Sequence, residues 1–366
     1  MRLLRQLATV VATATGPAVF STGLISTAVI GTVVISTVVI STVVISTVLA
    51  TVSGPAAAQP GAKDAARDSW PDRPIRFIVT SAAGGGIDLM ARLLAEGLSS
   101  ELPQRVIVEN NGAAGGLIAT RTVAKAEPDG YTFLFSGPGM ASLPYVYKTP
   151  GFDVRRDFES VSLVTRYPLV MVTSPDVPAK TLPEFIALVK KNPGKYAFGS
   201  SGIGGASHIP LEAFKASAGL DMVHVPYRGS GQTTAALLGG QIHLVIDGLA
   251  PQLPNIEDGR VRALAVTTTE RSPKRPDLPT VAETLPGFAF PMWVAVFAPA
   301  KTPAAIVERM SKAIAAAVKS PAVAKRFDEL VVDPVGSSPK ELDRFLDEQL
   351  AFNKAAIEKA GISIQE

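Results

Sequence analysis

PIRFIVTSAAGGGIDLMARLLAEGL, residues 74–98, joins a short apolar run to three glycines and then to apolar residues at helical spacing. Ile75–Val79 has the pattern of a buried strand, and Ile87, Met90, Leu94 and Leu98 share one helical face. The plan recurs at once. Arg105–Glu109 reads as a strand, Asn110–Gly116 as a turn, Leu117–Lys125 as a helix and Tyr131–Phe135 as a further strand. Strands that alternate with helices through glycine turns predict an α/β fold with a mainly parallel sheet.

A second block of the same kind begins near Leu169. LVMVTSP reads as a strand, and TLPEFIALVKKNPG as a helix whose ends are legible. Thr181 and Glu184 have capping-box spacing, and Pro193-Gly194 stop it. Strand, Gly/Ser loop and helix follow in KYAFGSSGIGGASHIPLEAF. DMVHVPYRGSGQTTAALLGGQIHLVIDG then adds two strands around a helix, and RVRALAVTTT one more strand. After Pro286-Gly287, PMWVAVFAPA is a strand that can leave this block. Two helices, Pro303–Lys319 and Pro339–Ala360, have no strand left there to cover and return to the first block. The expectation is two α/β domains, 70–170 with 292–366 and an inserted 171–291. Two crossing segments, near Leu169–Pro175 and Pro291–Pro299, form the hinge between them.

Residues 25–49 are five near-copies of one pentapeptide, ISTAV, IGTVV, ISTVV, ISTVV and ISTVL. A five-residue step turns a helix by roughly 140°, so no face stays constant, and an odd period flips the face of a strand. Solenoid units run to about 20–50 residues. What the repeat supplies is bulk apolarity. Arg2 and Arg5 are the only charges before Lys63, and Ala56-Ala57-Ala58 precede Gln59. That is the pattern of a secretory signal, 1–58, cut after Ala58 and followed by a polar linker, 59–69. The apolar part exceeds the usual length of about 7–15 residues. A run this long also fits a retained transmembrane anchor. Either reading puts the rest of the chain outside the cytoplasm, in the periplasm under the first.

Without Arg2 and Arg5 the net charge falls from +3 to +1, and no basic run remains, so nucleic acid is not an expected partner. There is no cysteine, which excludes disulfides, thiolate catalysis and Cys-ligated zinc.

Ligands of open α/β sheets bind beyond the carboxyl ends of the strands. Four loops there are rich in small residues: Ser81–Gly86, Ser136–Met140 with Gly137 in it, Ser200–Ser207, and Tyr227–Gln232. Glycines let backbone N–H groups approach a ligand, and a following helix start favours a carboxylate. Asp88, in the first turn of its helix, reads as a cap or a ligand contact. His208 reads as loop support or ligand contact, and so does Asp247, at the end of HLVID. Arg228 reads as an anion partner or a rim residue. His224 and His243 alternate with apolar residues and read as structural. No histidine spacing suits a metal, and no cofactor is expected. Gly84-Gly85-Gly86 lacks dinucleotide spacing, no Gly-Lys-Ser/Thr follows any glycine cluster, and Gly199-Ser200-Ser201-Gly202 is not a nucleophile elbow. No nucleophile, base and orienting group stand out, so a binding protein is favoured over the alternative, a periplasmic hydrolase or lyase acting on a carboxylate.

The order and spacing of AGGGIDLMAR, VENNGAAGG, PDGYTFL, FGSSGIGGASH, HVPYRG, LLGGQIHLVID, LPTVAE, PGF and FAPAKTP resemble the tripartite tricarboxylate transporter substrate-binding family, the Bug or TctC-like receptors. The resemblance covers about residues 70–366. It implies a monomeric, non-catalytic periplasmic receptor of the type II, two-domain hinged fold. Such a receptor takes a small organic carboxylate, for uptake with the membrane subunits of a transporter or for sensing. It implies ligand contacts at Ala83, Gly84, Gly85, Gly86 and Asp88, at Ser200, Ser201 and Gly202, and at Tyr227, Gly229 and Asp247. The chain departs from the family pattern in three places. Thr80–Gly85 lacks the family's aromatic residue and proline, Ile87 replaces a threonine, and Asn111-Gly112-Ala113 replaces Lys-Pro-Gly. The first two alter the pocket mouth.

Overall fold

The computed structural model describes residues 70–366. The expected signal, its cleavage point and the linker lie outside the described residues. Strands β1 (Ile75–Val79), β2 (Val106–Asn110) and β3 (Thr132–Ser136) alternate with helices α1 (Gly86–Leu98), α2 (Leu117–Ala124) and α3 (Gly139–Val146). Next comes β4 (Phe158–Tyr167), which the sequence reading did not anticipate, and then β5 (Leu169–Thr173) after the single residue Pro168. The middle of the chain supplies α4 (Leu182–Lys190), β6 (Ala197–Ser200), α5 (His208–Ala218) and β7 (Val223–Pro226). It continues through α6 (Ser230–Leu238), β8 (Leu244–Gly248), α7 (Leu249–Glu257) and β9 (Arg262–Val266). The chain then runs through β10 (Met292–Pro299), α8 (Ala304–Ala317), α9 (Pro321–Glu329), β11 (Asp333–Pro334) and α10 (Pro339–Ala360).

The strands form two sheets, in the orders β11-β4-β10-β3-β1-β2 and β7-β6-β8-β5-β9. The first carries one lobe and the second the other. Only half of the expected parallel character is present. β1 pairs parallel with β2 and β3, and β6 with β7 and β8. β10 runs antiparallel to β3 and β4, and β5 runs antiparallel to β8 and β9. The sheets are therefore mixed. The reason lies in the crossing segments. Each enters its new sheet directly as a strand, without a crossover helix, and so runs against its neighbours. Both strands are buried at every residue, because each lies inside its sheet with both faces covered.

Proline marks both passages between the sheets. Pro168 separates the last residue of β4 from the first of β5, and Pro291 precedes β10. A proline has no N–H to leave unpaired where one ladder stops and another starts. The second passage is also tied down, with Phe290 N–H donating to the Thr267 carbonyl and Thr267 Oγ1 donating to the Phe290 carbonyl.

Helix α10 begins where expected, on a full capping box. Glu341 N–H donates to Ser338 Oγ, and Glu341 accepts from Ser338 N–H. It packs on β4 and α3 of the first lobe but also touches α5 of the second, so it does not serve the first block alone. The expected box of α4 is half made. Thr181 Oγ1 accepts from Glu184 N–H, while the Glu184 carboxylate turns to Lys180 N–H.

Candidate functional site

A small, largely enclosed cavity lies between the lobes. Its walls come from the carboxyl ends of strands and the starts of helices. Thr80 and Ser81 follow β1, Ser201 follows β6, and Asp247 and Gly248 close β8. Gly86 and Ile87 open α1, Gly139 opens α3, and Ser230 opens α6. Ser207 and Gly248 are the cap residues of α5 and α7. Five helices thus begin at one cavity.

None of the five has its first N–H groups capped by the side chain of its own cap residue. Some of these groups have backbone partners, His208 N–H donating to the Gly205 carbonyl and Leu249 N–H to that of Pro168; N–H groups left without one and the positive end of the helix dipole favour an anion. No arginine, lysine or histidine lines the cavity. An anion here would be held by main-chain groups and hydroxyls, not by ion pairs.

The lobes meet backbone to backbone around this space. A Cβ at Gly112 would lie 1.8 Å from the Arg228 carbonyl oxygen, and one at Gly115 would lie 2.3 Å from that of Ile203. Only glycine permits so close an approach. Ser142 Oγ of α3 donates across the gap to the Gly204 carbonyl, at 2.6 Å.

Of the residues expected from the sequence, Gly86, Ser201 and Asp247 line this cavity together. Ala83, Gly84 and Gly85 form the turn before α1. Gly84 N–H donates to Asp88, and an added Cβ at Gly85 would lie 3.1 Å from Ser230 Oγ. Asp88 is buried and spent as a local cap. It accepts from Gly84 N–H and Asn110 Nδ2, each at 2.9 Å, and pairs with Arg92 at 3.0 Å. Burial pulls its carboxyl upward, but Arg92 and the two hydrogen bonds outweigh this and hold it below the usual carboxylate range. Ser136 receives a hydrogen bond from Thr80 Oγ1, and Gly137 lies against the Trp293 carbonyl. Gly202, Tyr227 and Arg228 line an outer opening with Tyr147 and Gln232, next to the cavity and not in it. Gly229 packs on Ala82.

Ser200 and His208 sit behind the loop 200–207. His208 is buried and its Nδ1 accepts from Gly204 N–H, while Ser200 Oγ takes the Gly202 N–H and lies 2.6 Å from His224 Nε2. Burial, then the neighbouring His224, pushes the His208 pKa down to about 3, and burial lowers that of His224 as well. His208, Glu212 and His224 place ligand atoms within 4.8 Å of one another. Each already holds a partner, Glu212 being paired with Lys215 at 2.7 Å. The cluster supports the loop from behind. The Ser200–His224 pair has the contact of a nucleophile and base, but Ser200 is fully buried and does not line the cavity. His243 also proves structural, its Nδ1 accepting from Ala197 N–H, though it sits one residue before its strand.

Sequence reasoning missed Tyr167, which ends β4 inside the cavity wall. Its residue is 3% exposed, and its hydroxyl has no hydrogen-bond partner. It also missed Ser230, whose place right after Gly229 at a helix start could have marked it. Asp247 accepts from Gly248 N–H at 2.8 Å and Gln252 Nε2 at 2.9 Å, and burial pushes its carboxyl up.

Comparison with known proteins agrees with this geometry. The model of a family described as tripartite tricarboxylate transporter family receptor matches residues 90–362. Protein BugT of Bordetella pertussis is 34% identical over 308 residues, covering 81% of this chain and 92% of BugT. The structure of Rpa4515 from R. palustris with adipate superposes with a TM-score of 0.78 at 34% identity, covering 81% of this chain and all of that one. MatC from Rhodopseudomonas palustris with bound malate gives a TM-score of 0.76 at 29% identity, covering 79% of this chain and all of that one.

Proposed function

This chain belongs to the tripartite tricarboxylate transporter receptor family, a family of periplasmic solute-binding receptors and not of enzymes, and from that premise we propose that its cleft closes on a small organic carboxylate. The observation that carries the reading is the convergence of five helix starts, without side-chain caps of their own, on a cavity free of basic side chains. Such a site takes an anion small enough to be enclosed and planar enough to be met by several N–H groups. That relatives of the same fold are seen with adipate and with malate supports a carboxylate.

In this reading the chain works in the periplasm as a monomer. Residues 70–170 with 292–366 form one moving body and 171–291 the other, and Pro168 and Pro291 mark the hinge. The closed form is presented to the membrane subunits of a tripartite tricarboxylate transporter or to a sensor. A thermal-shift panel of mono-, di- and tricarboxylates tests the binding step. A ligand at 100 times its Kd should stabilise the protein by about 2.7 kcal/mol. Small-angle scattering should show compaction with the same ligand. If no carboxylate raises the melting temperature, the reading falls. Turnover of a panel member would replace it with the hydrolase or lyase alternative.

A further inference from the structure

The cavity has a second pole that the helix starts do not explain. Tyr167 is pinned there. A Cβ at Gly86 would lie 3.1 Å from its hydroxyl, and a Cβ at Gly248 would lie 3.0 Å from its ring. Its residue is 3% exposed, so the hydroxyl cannot swing out to water. It has no hydrogen-bond partner within the protein. Two other buried hydroxyls, of Thr165 and Thr173, share that state among the described residues, but neither lines the cavity. A buried polar group held this way has lost its hydration and gains nothing until something in the cavity bonds to it.

Asp247 lies in the same wall, 5% exposed. Its carboxyl takes the Gly248 N–H and the Gln252 amide. A carboxylate offers about four acceptor sites, so capacity remains in a residue that lines the cavity.

We propose that Tyr167 and Asp247 form a second recognition pole, which takes a hydrogen-bond-donating substituent, hydroxyl or ammonium, on the short carbon chain of the ligand. A hydroxyl can accept from Tyr167 and donate to Asp247 at once, and an ammonium can donate to both. An unsubstituted acid leaves both groups facing methylene carbons, which a site built for hydrogen bonding penalises. Across from Asp247, the charged groups of the element packed there, Asp88 and Arg92 of α1, are paired with each other. The inference rests on the carboxylate reading above and narrows its ligand.

The test is calorimetric titration of the chain with matched acids of three to five carbons, each in unsubstituted, 2-hydroxy and 2-amino form, as mono- and dicarboxylates. In at least one set a substituted acid should bind about tenfold tighter than its unsubstituted parent. Tyr167→Phe should bring that ratio to within about twofold. Asp247→Asn separates the two substituents, since it should abolish a preference for ammonium and keep one for hydroxyl. Tyr167→Phe without ligand should melt at the wild-type temperature or above, because it removes an unbonded hydroxyl. A lower melting temperature would show the hydroxyl to be satisfied within the protein and would overturn the inference. Binding of every set without preference, or a ratio unchanged in Tyr167→Phe, sinks it while leaving the carboxylate reading intact. Binding of no acid sinks both.

Discussion

Helices that start at the cleft and helices that start elsewhere are built differently. Away from the cleft, α4 and α10 receive hydrogen bonds from Thr181 and Ser338 at their first turns. Of the other three, α8 and α9 begin next to or on Pro303 and Pro321, which carry no N–H, and α2, after Gly116, has no side-chain cap. At the cleft, α1, α3, α5, α6 and α7 carry no such cap. Two outer helices are thus closed by their own cap side chains, and none of the five cleft helices is. In the proposed reading, the uncapped starts at the cleft are where stability is given up for recognition.

The largest expected effect comes from putting a charge at the first residue of a cleft helix. Gly139 opens α3 with room around it, the nearest atom to an added Cβ being 3.5 Å away. Gly139→Asp puts a fixed carboxylate where the ligand's should go. Affinity for any carboxylate should fall by about a hundredfold or more, as titration would show. Unimpaired binding would mean that the helix starts are not the anion site.

The support behind the loop should respond to acid. The unfolded chain's His208 has a pKa near 6.5, while burial holds the folded one near 3. Between these values the unfolded state binds the extra proton, so stability falls as pH falls. The slope should approach about 1.4 kcal/mol per pH unit for one such histidine. Melting curves from pH 7 to pH 4 in wild type and His208→Asn check it, and the variant should lose part of the slope.

A smaller effect tests closure. Gly231 in α6 faces the Ala83 carbonyl of the opposite lobe, 2.8 Å from an added Cβ, with its own lobe giving no obstruction within 4 Å. Gly231→Ala should weaken ligand binding by about tenfold, while the unliganded fold holds or gains up to about 1 kcal/mol from better helix propensity. The smallest effect belongs to an outer cap. Ser338→Ala should cost about 1 kcal/mol in chemical denaturation and leave ligand affinity as it was. A loss of affinity there would erase the contrast between the two kinds of helix start.

The strand–glycine–helix units were legible because their period and their punctuation agree. β1 with α1 and β2 with α2 fall within a residue or two of the expected bounds. β4 was not, because buried polar residues disguise it. Ser160, Ser162 and Thr165 interrupt its apolar run, yet all three are buried, with Ser162 Oγ donating to the Ser337 carbonyl and Ser160 Oγ to Asp343. Those partners lie more than 170 residues along the chain, out of reach of any local pattern. With β4 unread, Tyr167 at its end could not be placed. Helices α3 and α7 carry no clear helical signal in the sequence, because Pro144, Pro251 and Pro254 lie inside them. For the site, the loops were legible from their glycines. Which side chain faces the cavity was not, since Asp88 and Asp247 stand at similar helix or strand ends and differ only in what packs on them.

Pro168 is the whole distance between two sheets. A tether of one residue has no slack, so the lobes can swivel about it but cannot slide apart to make room. In the proposed reading every ligand is then gripped at one depth, with its carboxylate at the same helix starts. A longer molecule would gain no deeper berth, and its surplus length would lie toward the outer opening at Tyr227 and Arg228, which would make the protein a gauge of how much of a ligand is swallowed.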